Sequence, residues 1–296
     1  MPLGDYEKTT YNEGAAPGIS AIRLNNNEDK TEELDNELAS HEDEKATEEE
    51  LGHVKVDGIS IIADENGVVS VVEQMLSADT IYYVNITRPD NSGDGLSQAT
   101  AFKNIQYAIN QIPKHLVGNA TIRVLAGNYS SESQLVIEKF YGSGLLTLTG
   151  YTGTADVATL AEADNYIIEA ILVKYCTNTN VTVRGLSTNY TGTAYKAFEM
   201  YIANKGVFSL CKDIVNVSRV GFGFQSTMGQ ISSCQASYKS IACLATYWSV
   251  VLSADWTAGT GNTVGLSCRD GSTIGKKNTQ PQGTTAQETT NGGEIR

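Results

Sequence analysis

The chain has 296 residues, 41% of them hydrophobic, and a formal net charge of −13. Twelve of its acidic residues lie between Glu28 and Glu50 against two lysines, Lys30 and Lys45, so this segment carries −10 and the rest of the chain −3. With the charge confined to one element and no basic concentration elsewhere, nucleic-acid binding is excluded, and no apolar run is long enough to span a membrane.

Residues 1–23 contain turn formers and scattered apolar residues without periodicity, and read as an extended attachment arm that orders against a partner. They lack a basic start followed by an apolar core, so no secretory signal is expected and the chain should fold in a cytoplasm. Residues 24–52 are rich in Glu and Lys with no internal proline, which favours an acidic helix. Steps of three and four residues place Leu24, Asn27, Thr31, Leu34, Leu38, His41 and Lys45 on one thin heptad seam. That stripe suits a short bundle of identical chains with Asn27 and Thr31 fixing its register; the alternative is a solvated single helix or a disordered acidic arm. His41 is the one candidate metal ligand, because symmetry-related imidazoles would converge on the bundle axis; a tolerated polar seam residue is the competing reading. Residues 53–80 alternate around Asp57-Gly58 and Glu65-Asn66-Gly67, the signature of a small β-hairpin connector.

The remainder, residues 81–296, is expected to be mainly β. The runs "AFEMY" at 197, "GFGFQ" at 221, "IACLA" at 241 and "TVGLS" at 263 start 24, 20 and 22 residues apart. A second series, "CKDIVN" at 211, "CQASYK" at 234 and "ADWTAG" at 254, has the same period of about 22, and the two together imply one coil of a parallel β-solenoid per period. Cys211 and Cys234 would stack in one interior row. The five cysteines show no CxxC pair, which argues for free buried thiols rather than zinc or disulfides. A solenoid needs its open end closed, and Ile105, Ala108, Ile109 and Ile112 supply one apolar face of a capping helix about ten residues long, stopped by Pro113. The preceding loop offers Asp90, Asn91 and Asp94 as oxygen ligands for calcium, but without a spaced bidentate Glu.

The stretch "YYVNITRPDNSGDGLSQATAFKNIQYAINQIPK…ATIRVLAGNY", residues 82–129, resembles the opening of right-handed parallel β-helix proteins of the pectate-lyase-like superfamily found in bacteriophage tailspikes and tail fibres. "APGISAIRLNNNEDKTEELDNELASHEDEKATEEELGHVKVDG" is similar to the attachment regions of tail-fibre or baseplate-associated proteins, and "STIGKKNTQPQGTTAQETTNGGEIR" to the ends of such appendages. The resemblance implies a homotrimeric virion protein without a cofactor, joined through its N-terminal arm to another virion protein, with a β-helical body contacting host cell-surface polysaccharide. Members of that family divide between inert or binding fibres and polysaccharide depolymerases; a head fibre or capsid decoration would share the architecture.

Glycoside cleavage needs two carboxylates across a groove, and the candidate acids of the coils are Glu138, Glu169, Glu199, Asp213, Asp255 and Asp270. Asp213 falls opposite Ala236 and Asp255 lies one row off. Asp255, beside Trp256, is the one candidate catalytic acid, with a solvated loop position as the competing reading. Phe222, Phe224, Tyr238, Tyr247, Trp248 and Trp256 lie on consecutive coils. Half must fill the core; of the others, Tyr247, Trp248 and Trp256 are the candidate carbohydrate-stacking rings.

Overall fold

The computed structural model describes residues 74–296 throughout and, before them, only Lys30, which is helical, and four short strands. The arm of residues 1–23, the seam residues Leu24, Asn27, Thr31, Leu34 and Leu38, and His41 lie outside the described residues. The chain divides into two compact units, Met1–Glu73 and Gln74–Arg296.

In the first unit, Glu50–Leu51 pairs antiparallel with Val54–Lys55. Glu50 and Leu51, inside the expected acidic helix of residues 24–52, are therefore strand. Ile61–Ala63 pairs antiparallel with Val69–Val71 on either side of Glu65-Asn66-Gly67.

The second unit is a parallel β-solenoid. Nine strands, from Thr80–Val84 to Glu294–Ile295, stack into one sheet, seven from Gln134–Glu138 to Thr285–Thr290 into a second, and five from Gly127–Asn128 to Gln235–Ala236 into a third. The four runs of the first sequence series are successive members of the seven-stranded sheet, in register as Phe198↔Phe222↔Cys243↔Leu266. Asp213 pairs with Ala236, as the second series requires. The solenoid begins earlier than residue 81: Met75–Leu76 pairs with His115–Leu116, and Thr80 with Ala120.

Alternation along many strands fills the interior, while Val220–Gln225, Ile241–Thr246 and Val264–Arg269 are buried almost throughout. In Ala120–Leu125 the residues Ala120, Ile122 and Val124 are buried and their neighbours are not. Because adjacent coils are one ladder step apart, like residues stack on like: the Phe198 and Phe222 rings lie 4.8 Å apart and nearly parallel, with Phe208 edge-on to both. Cys211 and Cys234 occupy one interior row, the Cys211 amide 3.4 Å from the Cys234 sulfur. All five cysteines are free and buried.

The chain passes between faces through left-handed backbone. From the seven- to the nine-stranded sheet it turns at Tyr175, Ile202, Ser226, Tyr247, Asp270 and Asn291, and from the nine- to the five-stranded side at Gly185, Leu210, Ser233, Asp255 and Asn278. Each turn stacks on the next, since the amide of Ile202 donates to Gln225 and that of Ser226 to Thr246. Asn278 donates to Asp255 at 2.6 Å and Asn291 to Asp270 at 2.9 Å, continuing the stack through side chains.

The capping helix is Ile105–Gln111, seven residues rather than about ten. Ile112 is already extended because Pro113 clashes with a helical residue before it. Ile105, Ala108, Ile109 and Ile112 are buried as the spacing requires, and the helix packs on the first strands of the nine- and seven-stranded sheets. Two polar side chains complete the closure. Glu132 accepts the Ile105 and Gln106 amides, each at 2.9 Å, satisfying the exposed first turn; burial pushes its carboxyl above the usual range. Gln106 accepts the Val136 amide at 2.7 Å and donates to the Val136 carbonyl at 3.0 Å, so its side-chain amide replaces the missing neighbour of the edge strand.

Two outcomes follow for stability. Gln106→Ala leaves both Val136 groups unpaired at a half-buried edge and should cost about 1–3 kcal/mol in a denaturant titration. Ile202→Asn replaces a β-branched residue in left-handed backbone (φ 47°) with one that tolerates it, and should raise the unfolding free energy by roughly 1 kcal/mol.

Candidate binding face and the fate of the acidic residues

A groove formed by described residues lies on the outer surface of the nine-stranded sheet, near its C-terminal coils. It is open, about 600 Å³, and its lining includes Val207, Met228, Val250 and Leu252, with Lys205 and Arg296 as the charged residues. Strand register explains the lining. Lys205, Met228, Val250 and Thr273 form one outward row, and Val207, Gln230, Leu252 and Gly275 the next. Met228 is 58% and Val250 55% exposed, and Leu252 is exposed beside them. Where the second row reaches Gly275 there is no side chain, and a Cβ built there would come no closer than 3.9 Å to anything, which opens the groove floor.

The corner that carries Tyr247 and Trp248 leads into the strand Val250–Ala254, which supplies part of the lining. Trp248 is 80% exposed and Tyr247 52%. The Trp248 ring lies over Gly271, where a Cβ would come within 2.7 Å of it, so only glycine lets the ring lie flat on the next corner. Of the three candidate stacking rings, these two are available to a partner. Trp256 is 3% exposed, packs edge-on to Phe222 and donates to Ser253 at 2.9 Å. It follows Asp255 as Cys234 follows Ser233, which puts it in the interior row of Cys211 and Cys234; with both faces covered it is core, not a sugar platform. Phe222 and Phe224 are core as well, and Tyr238 is exposed at a different turn.

Asp255 is an exposed corner residue whose Oδ1 accepts from Asn278. Most of the other acids have equally structural partners, Glu169 being the exception. Glu138 pairs with Lys174 at 3.0 Å, Asp156 with Arg123 at 2.8 Å, Asp164 with Lys212 at 2.7 Å, Glu288 with Arg269 at 2.7 Å, and Glu199 with Lys196. In the loop before the capping helix, Asp90 accepts the Ser92 amide, Asp94 the Leu96 amide and the Thr100 hydroxyl, and Asn91 the amides of Lys103 and Asn104. Those oxygens hold the loop closed on itself. Among the described residues no group of three or more His, Cys, Asp or Glu side chains is placed to hold a metal ion.

A general acid at neutral pH needs a raised pKa, and among the described carboxyls burial raises Glu132 and Asp213. Glu132 caps the helix. Asp213 is fully buried beside two cations, its Oδ1 2.9 Å from Lys239 Nζ and 3.1 Å from Arg219 Nη2. Lys239 also donates to the Val215 and Val217 carbonyls, and Arg219 to those of Tyr190 and Gly192 while stacking on the Tyr190 ring. The cluster pins two excursion loops to the solenoid wall.

Sequence reasoning missed both features. The outward apolar rows leave one signal, the unbroken run Val250-Val251-Leu252, in which a strand with one wet face should alternate. The buried cluster leaves none, because Asp213, Arg219 and Lys239 meet only through coil stacking. Asp213→Asn removes the one anion beside two buried cations and should cost about 3–5 kcal/mol in chemical unfolding; a loss under 1 kcal/mol would contradict a clamp. Compared with known proteins, this chain matches no family model, no curated protein and no solved structure.

Proposed function

We propose that this chain is a structural appendage of a bacteriophage particle: a homotrimer whose body is a right-handed, pectate-lyase-like β-helix of the kind used in tail fibres and tailspikes. In this reading the arm of residues 1–23 and the acidic helix of residues 24–52 join it to another virion protein, and the body projects outward to touch host surface polysaccharide through Tyr247 and Trp248. The observation that carries the reading is a parallel β-solenoid with an outward apolar face, on coils whose acids, Glu169 apart, are engaged in ion pairs, turns and caps. Such a body suits holding and touching rather than acid–base cleavage, which needs one protonated and one ionised carboxyl across a groove.

The full chain should sediment at three times 31.7 kDa at micromolar concentration, and antibodies to the body should label the tail end of intact particles. A 31.7 kDa species would overturn the trimer, and label on the capsid would move the protein to a head fibre. Incubation with polysaccharide from the particle's host should leave polymer length unchanged; new reducing or unsaturated ends would make the protein a depolymerase, with its site between subunits.

A further inference from the structure

We propose that the solenoid carries a second sugar-binding site, built beside Tyr238 at the opposite end of the strand Ile241–Thr246 from Tyr247 and Trp248, and that the sugar residue it takes is uncharged. The inference rests on the reading above, in which host polysaccharide is the partner, and adds to it the class of sugar and the residues that meet it.

Two successive coils leave a concavity of about 310 Å³ there, lined by Gly259, Thr260, Gly261 and Asn262 of one and by Gln282, Gly283 and Thr284 of the next. Tyr238 stands one coil before them. Its amide donates to the Thr260 carbonyl at 2.8 Å, and its ring lies against Gly261, where a Cβ would come within 2.7 Å of it. Tyr238 is 42% exposed, so an accessible aromatic surface adjoins the lining. The volume falls at the lower end of the roughly 300–1,000 Å³ of small-molecule sites, which suits one or two sugar residues rather than a folded partner.

The class of sugar follows from what the lining offers. From Trp256 to Cys268 and from Asn278 to Gln287 there is no Asp, Glu, Lys or Arg, in a chain that is 19% charged. A carboxylate or phosphate on the sugar would find no counter-charge in either loop. Uncharged hydroxyls find partners of their own kind, because the Thr260 and Thr284 hydroxyls and the Gln282 amide are exposed, make no side-chain hydrogen bond to other described residues, and can each donate and accept. The apolar face of a sugar ring stacks on an aromatic surface such as that of Tyr238. The groove on the nine-stranded sheet has the opposite chemistry, since its floor of Val207, Met228, Val250 and Leu252 returns few hydrogen bonds to a sugar that gives up its hydration.

The lining is also held in place before any ligand arrives. Asn262 is 2% exposed; its side chain accepts the Lys239 amide at 3.0 Å and donates to the Ala236 and Gln282 carbonyls at 2.9 and 2.8 Å, tying three coils together at the floor. The Ser237 hydroxyl accepts the Thr260 amide at 3.1 Å. Lys239, the neighbour of Tyr238, is itself fixed by the buried ion pair with Asp213. Loops anchored in this way lose little conformational freedom on binding.

The test is calorimetric titration of the full chain with neutral cell-surface polysaccharide from the particle's host, and with the same polymer oxidised at its primary hydroxyls to uronic acids, at about 0.15 M salt to screen long-range repulsion. The neutral polymer should bind at least fivefold more tightly than the oxidised one. Tyr238→Asn removes the ring but keeps a residue that tolerates the left-handed backbone there (φ 61°), so it should weaken binding of the neutral polymer at least fivefold without lowering the melting temperature. Thr260→Trp, which fills the concavity from an exposed position, should do the same. Binding that is indifferent to both substitutions, or equal for the two polymers, overturns this site and leaves polysaccharide as the partner; no binding of either polymer overturns both.

Discussion

The body depends on one repeated interaction, the parallel backbone ladder that joins each coil to the coil before it. A strand here has no hairpin partner next to it in sequence; its neighbours lie one full coil away, as Val181 lies beside Leu146 and Gly206. Everything else is fitted to that spacing. Aromatic rings stack at the ladder repeat, corner amides find the carbonyl of the next corner, and buried side chains form rows instead of a closed centre. A ladder also has an unpaired first edge, and the opening segment answers it. The apolar face of the capping helix covers the end of the core, while Gln106 gives Val136 the hydrogen bonds that a preceding coil would have made.

That dependence explains how much was legible in the sequence. A coil of near-constant length writes its period into the chain, so four runs some 22 residues apart were enough to identify successive strands of one sheet. The same period put Cys211 over Cys234 and Asp213 beside Ala236. The capping helix was legible from four apolar positions, though its end was not, because Pro113 removes Ile112 from the helix as well as stopping it. Inside and outside were harder to tell apart. Asp255 and Trp256 are adjacent in sequence, yet one is an exposed corner and the other a core ring; the left-handed turn that separates them has no fixed residue type, being Leu210, Ser233, Asp255 and Asn278 in successive coils.

The candidate site was legible in part. Tyr247 and Trp248 stand where a partner can reach them, whereas the apolar rows beside them arise from Met228, Val250 and Leu252 on separate coils. The buried group of Asp213, Arg219 and Lys239 obeys the same logic with charge in place of apolar surface. Its members come from two coils and an excursion loop, and its outer hydrogen bonds go to loop carbonyls, so the cluster orders backbone that the ladder does not reach.

Spacing between corners divides the solenoid into a constant part and a variable one. Across the nine-stranded face the chain takes ten residues from Tyr175 to Gly185 and then settles to eight from Ile202 to Leu210, seven from Ser226 to Ser233, eight from Tyr247 to Asp255 and eight from Asp270 to Asn278. The return takes seventeen from Gly185 to Ile202, sixteen from Leu210 to Ser226 and thirteen from Asn278 to Asn291. One side is thus a ruler, graduated in steps of about 4.8 Å, and the other side absorbs insertions. Gain or loss of a whole coil would lengthen or shorten the body by one graduation while leaving the capped end and the register of the measured face intact. Changes in loop length on the return would alter girth alone. Reach and surface decoration can therefore vary independently in a molecule of this design.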